Sequence, residues 1–341
     1  MLNSRILLPL YMVLIWSISR IYKAYILINY EINPTVFALY ALFFASLILI
    51  INGKNNKKLL RLTFETSHHF IYSIFEILSQ IIAILILFYV GSTEGSHLIQ
   101  LCTVTAIIYG NTKNKRDKKT SDIFLSILIL SGVFYALNKT PNYQLLPVFY
   151  LTILFSLIMT IKTVIAEKNP LNKLHINNKA KMKVTGFAIG ISTIIFSFSL
   201  PLIKLISSIV LKKDILTWLP NYTDFSNKPT IFLGFIYGVV LISIGRYIYL
   251  KASKTTKTET LLTIAALTPF TVLLLELISY KFGLFNSTSI DLIDILICSS
   301  VALEVIALTI IRNYKIFSLK KKVTTSFKSN VTKDYVKRTM P

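Results

Sequence analysis

Apolar residues run in long blocks along most of this chain, separated by short polar stretches. The blocks are roughly 18 to 25 residues long, enough to cross about 30 Å of hydrocarbon as helices. In lipid every backbone polar group needs an internal partner, so each block is expected to be helical. The two-residue alternation of a membrane β-barrel is absent. The pattern predicts ten helices, over 6–28, 34–51, 69–90, 95–110, 122–137, 144–166, 184–211, 230–250, 258–280 and 290–311. Pro147, Pro201 and Pro269 fall inside these runs and should weaken or kink their helices. The expected fold is an all-α integral membrane protein.

Composition agrees. Of 341 residues 54% are apolar and 15% charged, with mean hydropathy +0.64. A soluble chain would carry about a quarter charged residues. The formal net charge of +22 would suggest nucleic acid on a soluble protein, but these basic residues sit between the apolar runs, where they orient a membrane protein. Nucleic acid is therefore not expected as a partner; membrane lipid and a small molecule are. With a cytoplasmic N-terminus, the inner segments and tail hold about 27 Lys and Arg against 5 outside: Lys139, Lys212, Lys213, Lys228 and Lys281. That bias predicts a multi-pass protein of the inner (cytoplasmic) membrane with both termini cytoplasmic. The stretch 318–341 reads as a basic, disordered cytoplasmic tail. The first run follows Arg5 and imitates a signal peptide, but it continues to Ile28 without a small-residue cleavage site, so it reads as a helix.

Cys102 and Cys298 both lie in apolar runs, as small buried fillers do. Neither a CxxC nor a Cys/His metal spacing occurs, and no metal or cofactor is expected. There is no GxSxG, HExxH or Walker motif, so the chain does not read as an enzyme. A channel-type filter loop is also absent.

The ten helices divide into halves of five, 1–140 and 141–317. Around the fourth and ninth helices a helix leads through a short Ser/Thr-rich turn into another: Gly91-Ser92-Thr93-Glu94 before Ser96-His97-Leu98, and Ser253-Lys254-Thr255-Thr256-Lys257 before Thr258-Glu259-Thr260. Setting Leu98 on Leu261 also sets Thr105 on Thr268. An odd number of helices per half inverts the second copy, the arrangement by which many transporters build a midplane site. With only 11 glycines, close helix packing is expected to use Ala and Ser.

At these residues the chain resembles the EamA-type transporters of the drug/metabolite transporter superfamily. Trp16 and Lys23 in the first helix, followed by Pro34, are similar to that family's Trp…Lys…Pro opening. The Ser/Thr-rich turns with Pro269, and Ser131-Gly132-Val133, resemble two further segments. The resemblance spans about 1–315 and implies two inverted five-helix repeats around a central cavity. It also makes Lys23 a cavity residue and leaves the helix of Glu304 peripheral, suited to packing or a homodimer contact.

Polar groups inside a membrane helix are costly unless they meet protein, water or a partner, which makes them candidates. Arg20 and Lys23 either snorkel to headgroups or form a cationic wall facing an anionic or zwitterionic substrate. Trp16 lies on roughly the same face as Lys23. Glu76 and Gln80 share a face one turn apart. Glu76 either pairs with a Lys or Arg of another helix or titrates during transport; in the second case Glu76→Gln would keep the fold and impair transport. His97 and Gln100, Arg246 and Tyr249, and Thr263 complete the candidate cavity lining. Glu259 is read as favouring its helix N-terminus, Glu276 with Lys281 as a surface pair, and His68 and His69 as unspecialised. The resulting expectation is secondary transport of a small polar metabolite by alternating access. The alternative is a non-transporting membrane assembly or scavenging factor that retains the fold.

Overall fold

Asparagine and proline start two of the central helices. In Asn33-Pro34-Thr35 the Asn33 side chain accepts hydrogen bonds from the amides of Thr35 and Val36. Proline at the first helical position has no amide to leave unpaired. Asn227 caps a later helix in the same way, accepting from the amide of Thr230, with Pro229 beside it. The computed structural model describes residues 4–53, 61, 67–113, 120–172, 178–211, 218–285 and 290–310. The expected tail, 318–341, and most of the basic loops lie outside them.

Among the described residues there is no strand. The helices are α1 (Ser4–Asn29), α2 (Pro34–Ile51), α3 (Ser67–Val90), α4 (Ser92–Ile99), α5 (Leu101–Lys113), α6 (Thr120–Lys139), α7 (Asn142–Glu167), α8 (Asn178–Leu211), α9 (Lys228–Thr255), α10 (Thr258–Ala265), α11 (Thr268–Lys281) and α12 (Leu292–Ile310). Nine segments among the described residues are long and apolar enough to cross a membrane, α10 and α11 together counting as one. Large apolar side chains stand outward on several of them, including Phe134, Phe198, Ile209, Phe232 and Leu303. On a soluble surface that would be an association hazard; facing lipid it is the expected finish. The chain is a multi-pass, all-α membrane protein.

The expected fourth and ninth helices are each broken. The fourth stops at Gln100 and restarts at Leu101; the ninth stops at Ala265 and restarts at Thr268. Pro269 marks the second break, because proline is tolerated in a first turn and not in an interior. No proline or glycine marks the first. Pro147 and Pro201 lie within the unbroken α7 and α8.

Helix α2 is packed by α8 and by α9. Four glycines let these helices approach closely. Gly186 and Gly190 of α8 face Leu49 and Ser46, while Gly234 and Gly238 of α9 face Tyr40 and Ala41. A side chain at Gly238 would strike the Ala41 carbonyl. The expectation of packing through Ala and Ser is thus corrected: Ala38, Ala41 and Ala45 are buried on α2, but four of the scarce glycines are spent against the same helix. Tyr237–Ile242 of α9, beside this contact, forms a wider π-helical turn.

Candidate functional site

Three helices bring polar faces together at the centre of the bundle. On α1, Trp16, Ser19, Arg20 and Lys23 recur at three- and four-residue spacing and so share one face. Glu76, Ser79 and Gln80 do the same on α3, and α9 contributes Arg246 and Tyr249. Lys162 enters from α7. The five ionisable groups Arg20, Lys23, Glu76, Lys162 and Arg246 are all at most 7% exposed.

The carboxylate of Glu76 organises the cluster. Its Oε1 pairs with Arg246 Nη2 and accepts from Gln80 Nε2 at 3.3 Å, and its Oε2 lies 3.5 Å from Lys162 Nζ. Lys162 also donates to Ser79 Oγ at 2.8 Å. Gln80 reaches the other way, its Oε1 accepting from Lys23 Nζ at 3.1 Å. Two tyrosine rings sit against the cations: Lys23 lies 5.4 Å from the Tyr237 ring centre, and Arg246 lies 5.7 Å from that of Tyr249. Tyr249 donates to Thr163 Oγ1 at 3.0 Å and packs against Trp16. The Tyr237 hydroxyl is hydrogen bonded to Ser19.

Beside this cluster is a cavity with about 60 Å³ open to water centres; one water needs only about 10–15 Å³. Arg20, Lys23, Gln80, Lys162 and Arg246 form its polar wall, and Trp16, Phe155 and Met159 part of its apolar wall. Gln100 and Ala265, from the two helix breaks, also line it. A helix break leaves carbonyls without intrahelical partners. Here Gln100 Nε2 donates to the Ala265 carbonyl at 2.9 Å, and Thr103 Oγ1 to that of Leu262 at 2.9 Å. The two broken helices therefore meet at their breaks. Their N-termini are also capped alike: Ser92 and Thr93 donate to Glu276, and the amide and hydroxyl of Thr258 donate to Glu167 at 2.8 and 2.6 Å.

Among the sequence candidates, Trp16, Lys23, Gln80, Gln100 and Arg246 line the cavity. Glu76 stands behind the wall, and its ionic partners are Arg246 and Lys162; Lys23 is reached only through Gln80. Tyr249 supports Trp16 and the cations from behind. Thr263 is turned back onto the Glu259 carbonyl of its own helix. His97 faces away, toward α6 and α12: its ring lies in the space left by Gly132, with Nε2 3.4 Å from Cys298 Sγ and 3.9 Å from Asp294 Oδ1. Glu276, expected with Lys281 at the surface, instead holds the start of α4. Lys162 escaped the sequence reading, because a lysine near the end of an apolar run looks like one that snorkels. The need of a buried Glu76 for a cation on another helix was the signal for it.

A second polar cluster joins α4, α6 and α12 at one end of the bundle. Lys139 Nζ lies 2.7 Å from the fully buried Asp294, 3.0 Å from Asp291 and 3.6 Å from Glu94. Tyr135 donates to Asp291 at 2.6 Å. The Asp294 carboxyl, the Tyr135 hydroxyl and the Lys139 ammonium hold the Asp291 carboxyl below the usual carboxylate range. No group of three or more His, Cys, Asp or Glu suited to a metal ion occurs among the described residues.

Neither a family model nor a curated protein matches this sequence. A solved structure does share the fold. A protein known only as "Crystal structure of protein" superposes with a TM-score of 0.59 at 12% identity, over 89% of this chain and 96% of its own. At that identity the likeness speaks for architecture alone.

Proposed function

We propose that the protein is a secondary transporter, EamA-like in architecture, that moves a small polar metabolite across the inner membrane by alternating access. The halves 1–140 and 141–317 would be inverted repeats, with both termini cytoplasmic. The observation that carries this reading is the pair of broken helices meeting beside a buried polar cavity. Discontinuous helices at matching places in two halves are how many transporters build a midplane site. Each here runs eight residues to its break, Ser92–Ile99 and Thr258–Ala265, and each begins at a hydroxyl residue held by a distant glutamate. A cavity with room for several waters and lined by cations suits a transporter and has no obvious use in a scaffold that only retains the fold. The test is uptake and counterflow of labelled metabolite mixtures in proteoliposomes. Saturable flux that Arg246→Ala abolishes per folded molecule is expected. Absence of flux in both orientations would overturn the reading.

A further inference from the structure

The charges around the cavity do not balance. Four cations, Arg20, Lys23, Lys162 and Arg246, meet one carboxylate, Glu76. Glu76 is committed to Arg246 and Lys162. Lys23 has only the neutral Gln80 amide and the Tyr237 ring. Arg20 is 7% exposed, lines the cavity, and its Nη1 has no hydrogen-bond partner; no ion pair of Arg20 occurs among the described residues. Nη1 of Arg246, also in the cavity wall, is likewise without a hydrogen bond. A buried lysine can shed its proton, but a guanidinium cannot, so the unmet charge of Arg20 is a standing demand for an anion.

We infer that the cavity binds a small organic oxyanion, a carboxylate or phosphate monoester, through Arg20 and Lys23. A guanidinium fork matches two oxygens of either group, which a point cation does not. Glu76 acts as a fixed counterion that neutralises the inner pair of cations and leaves the Arg20 and Lys23 side for the ligand. The apolar wall of Trp16, Phe155 and Met159 favours a ligand with a carbon skeleton over a bare inorganic ion. The inference rests on the transport reading for what the anion is doing there, and not for the binding itself.

The experiment is ligand-dependent thermal stabilisation and calorimetry of the full chain in detergent, without flux. Benzoate, succinate and glycerol phosphate are compared with benzamide, succinamide and benzylamine, and with inorganic phosphate. At least one organic anion should bind saturably, and its uncharged or cationic counterpart should not; which anion does so separates carboxylate from phosphate ester. Arg20→Gln should weaken that binding about tenfold or more, the usual scale for a charge-assisted hydrogen bond, and Arg20→Lys should recover part of it. A second readout needs no ligand: removing a buried cation that lacks a counterion should make ligand-free Arg20→Gln more heat-stable than the native protein. Binding of benzylamine over benzoate, equal binding of charged and neutral members, no saturable binding by any of the three organic anions, or lower ligand-free stability of Arg20→Gln would each overturn the inference. Anion binding without flux in liposomes would leave it standing and overturn transport; flux restricted to a cation would do the reverse.

Discussion

Glu76→Gln is the sharpest perturbation of the central cluster, because it removes one charge and almost no volume. Glu76 is fully buried, and its partners Arg246 and Lys162 are 4% and 1% exposed. Water therefore cannot replace the lost interaction. Removing one member of a buried pair costs about 3–5 kcal/mol, mostly because the remaining charge is left without compensation. Two cations are stranded here, with Lys23 one amide away, which places the variant at the upper end of that range. The sequence alone suggested a different outcome, a well-folded protein with impaired transport. The geometry predicts a large loss of stability first, measured by reversible denaturant unfolding in mixed micelles. The double variant Glu76→Gln, Arg246→Gln separates the causes. If the carboxylate anchors the guanidinium, the double variant should be more stable than Glu76→Gln alone, with a coupling of about 1–3 kcal/mol. A Glu76→Gln protein within about 0.5 kcal/mol of native, or strictly additive single variants, would refute the pairing as the source of the effect.

Further outcomes follow from other contacts. Lys139→Ala should cost about 3 kcal/mol, because it strands the buried Asp294, whereas Asp291→Asn, at a half-exposed carboxylate, should cost under about 1 kcal/mol in the same unfolding assay. Because Asp291 is held below its usual range when folded, its small contribution is present at neutral pH and fades as pH falls into the acid range; Asp291→Asn should flatten that part of the pH–stability curve. Gly238→Ala should destabilise by about 1–3 kcal/mol, since the added methyl meets the Ala41 carbonyl, while Gly283→Ala, with nothing nearby but a positive φ of 73°, tests strain alone. Gln100→Leu should cost about 0.5–1.5 kcal/mol by removing one of two side-chain donors to the Ala265 carbonyl, Thr268 being the other, read as lower thermal stability.

The helices were legible because lipid imposes one rule on every span: continuous apolarity over a fixed length. Pro34 located a helix start by its missing amide, and Pro269, expected to weaken or kink the ninth helix, lies at its break. The break at Gln100 was not legible, since Ile99-Gln100-Leu101 contains no residue that disfavours helix; what accompanies it is tertiary, Gln100 and Thr103 donating to the carbonyls of Ala265 and Leu262 on the other broken helix. For the same reason His97 and Gln100, read together from their spacing, part company, one toward Cys298 and Asp294 and the other toward the cavity. On unbroken helices spacing succeeded better: Trp16 with Lys23, and Glu76 with Gln80, do share faces. What periodicity does not contain is which face meets which. It left Glu76 without its true partners and Lys162 unnoticed.

The wide turn at Tyr237–Ile242 has a consequence for how the length of α9 can vary. A π turn holds one residue more than the α-helix needs, and each α-helical residue advances the spiral by about 100°. The wide turn absorbs that extra residue, so the Tyr237 side of α9, stacked on Tyr22 and Phe37, and the Arg246 side, paired with Glu76, keep the phase of an α-helix one residue shorter. Deleting Val239 or Val240 would let the turn relax to α-helix with Arg246 and Tyr249 still on the Glu76 side, whereas a further residue inserted there and wound as α-helix would swing them by about 100°. The helix thus carries a spare residue beside the site: the aim of Arg246 should survive the loss of one residue at this turn and fail on the gain of one.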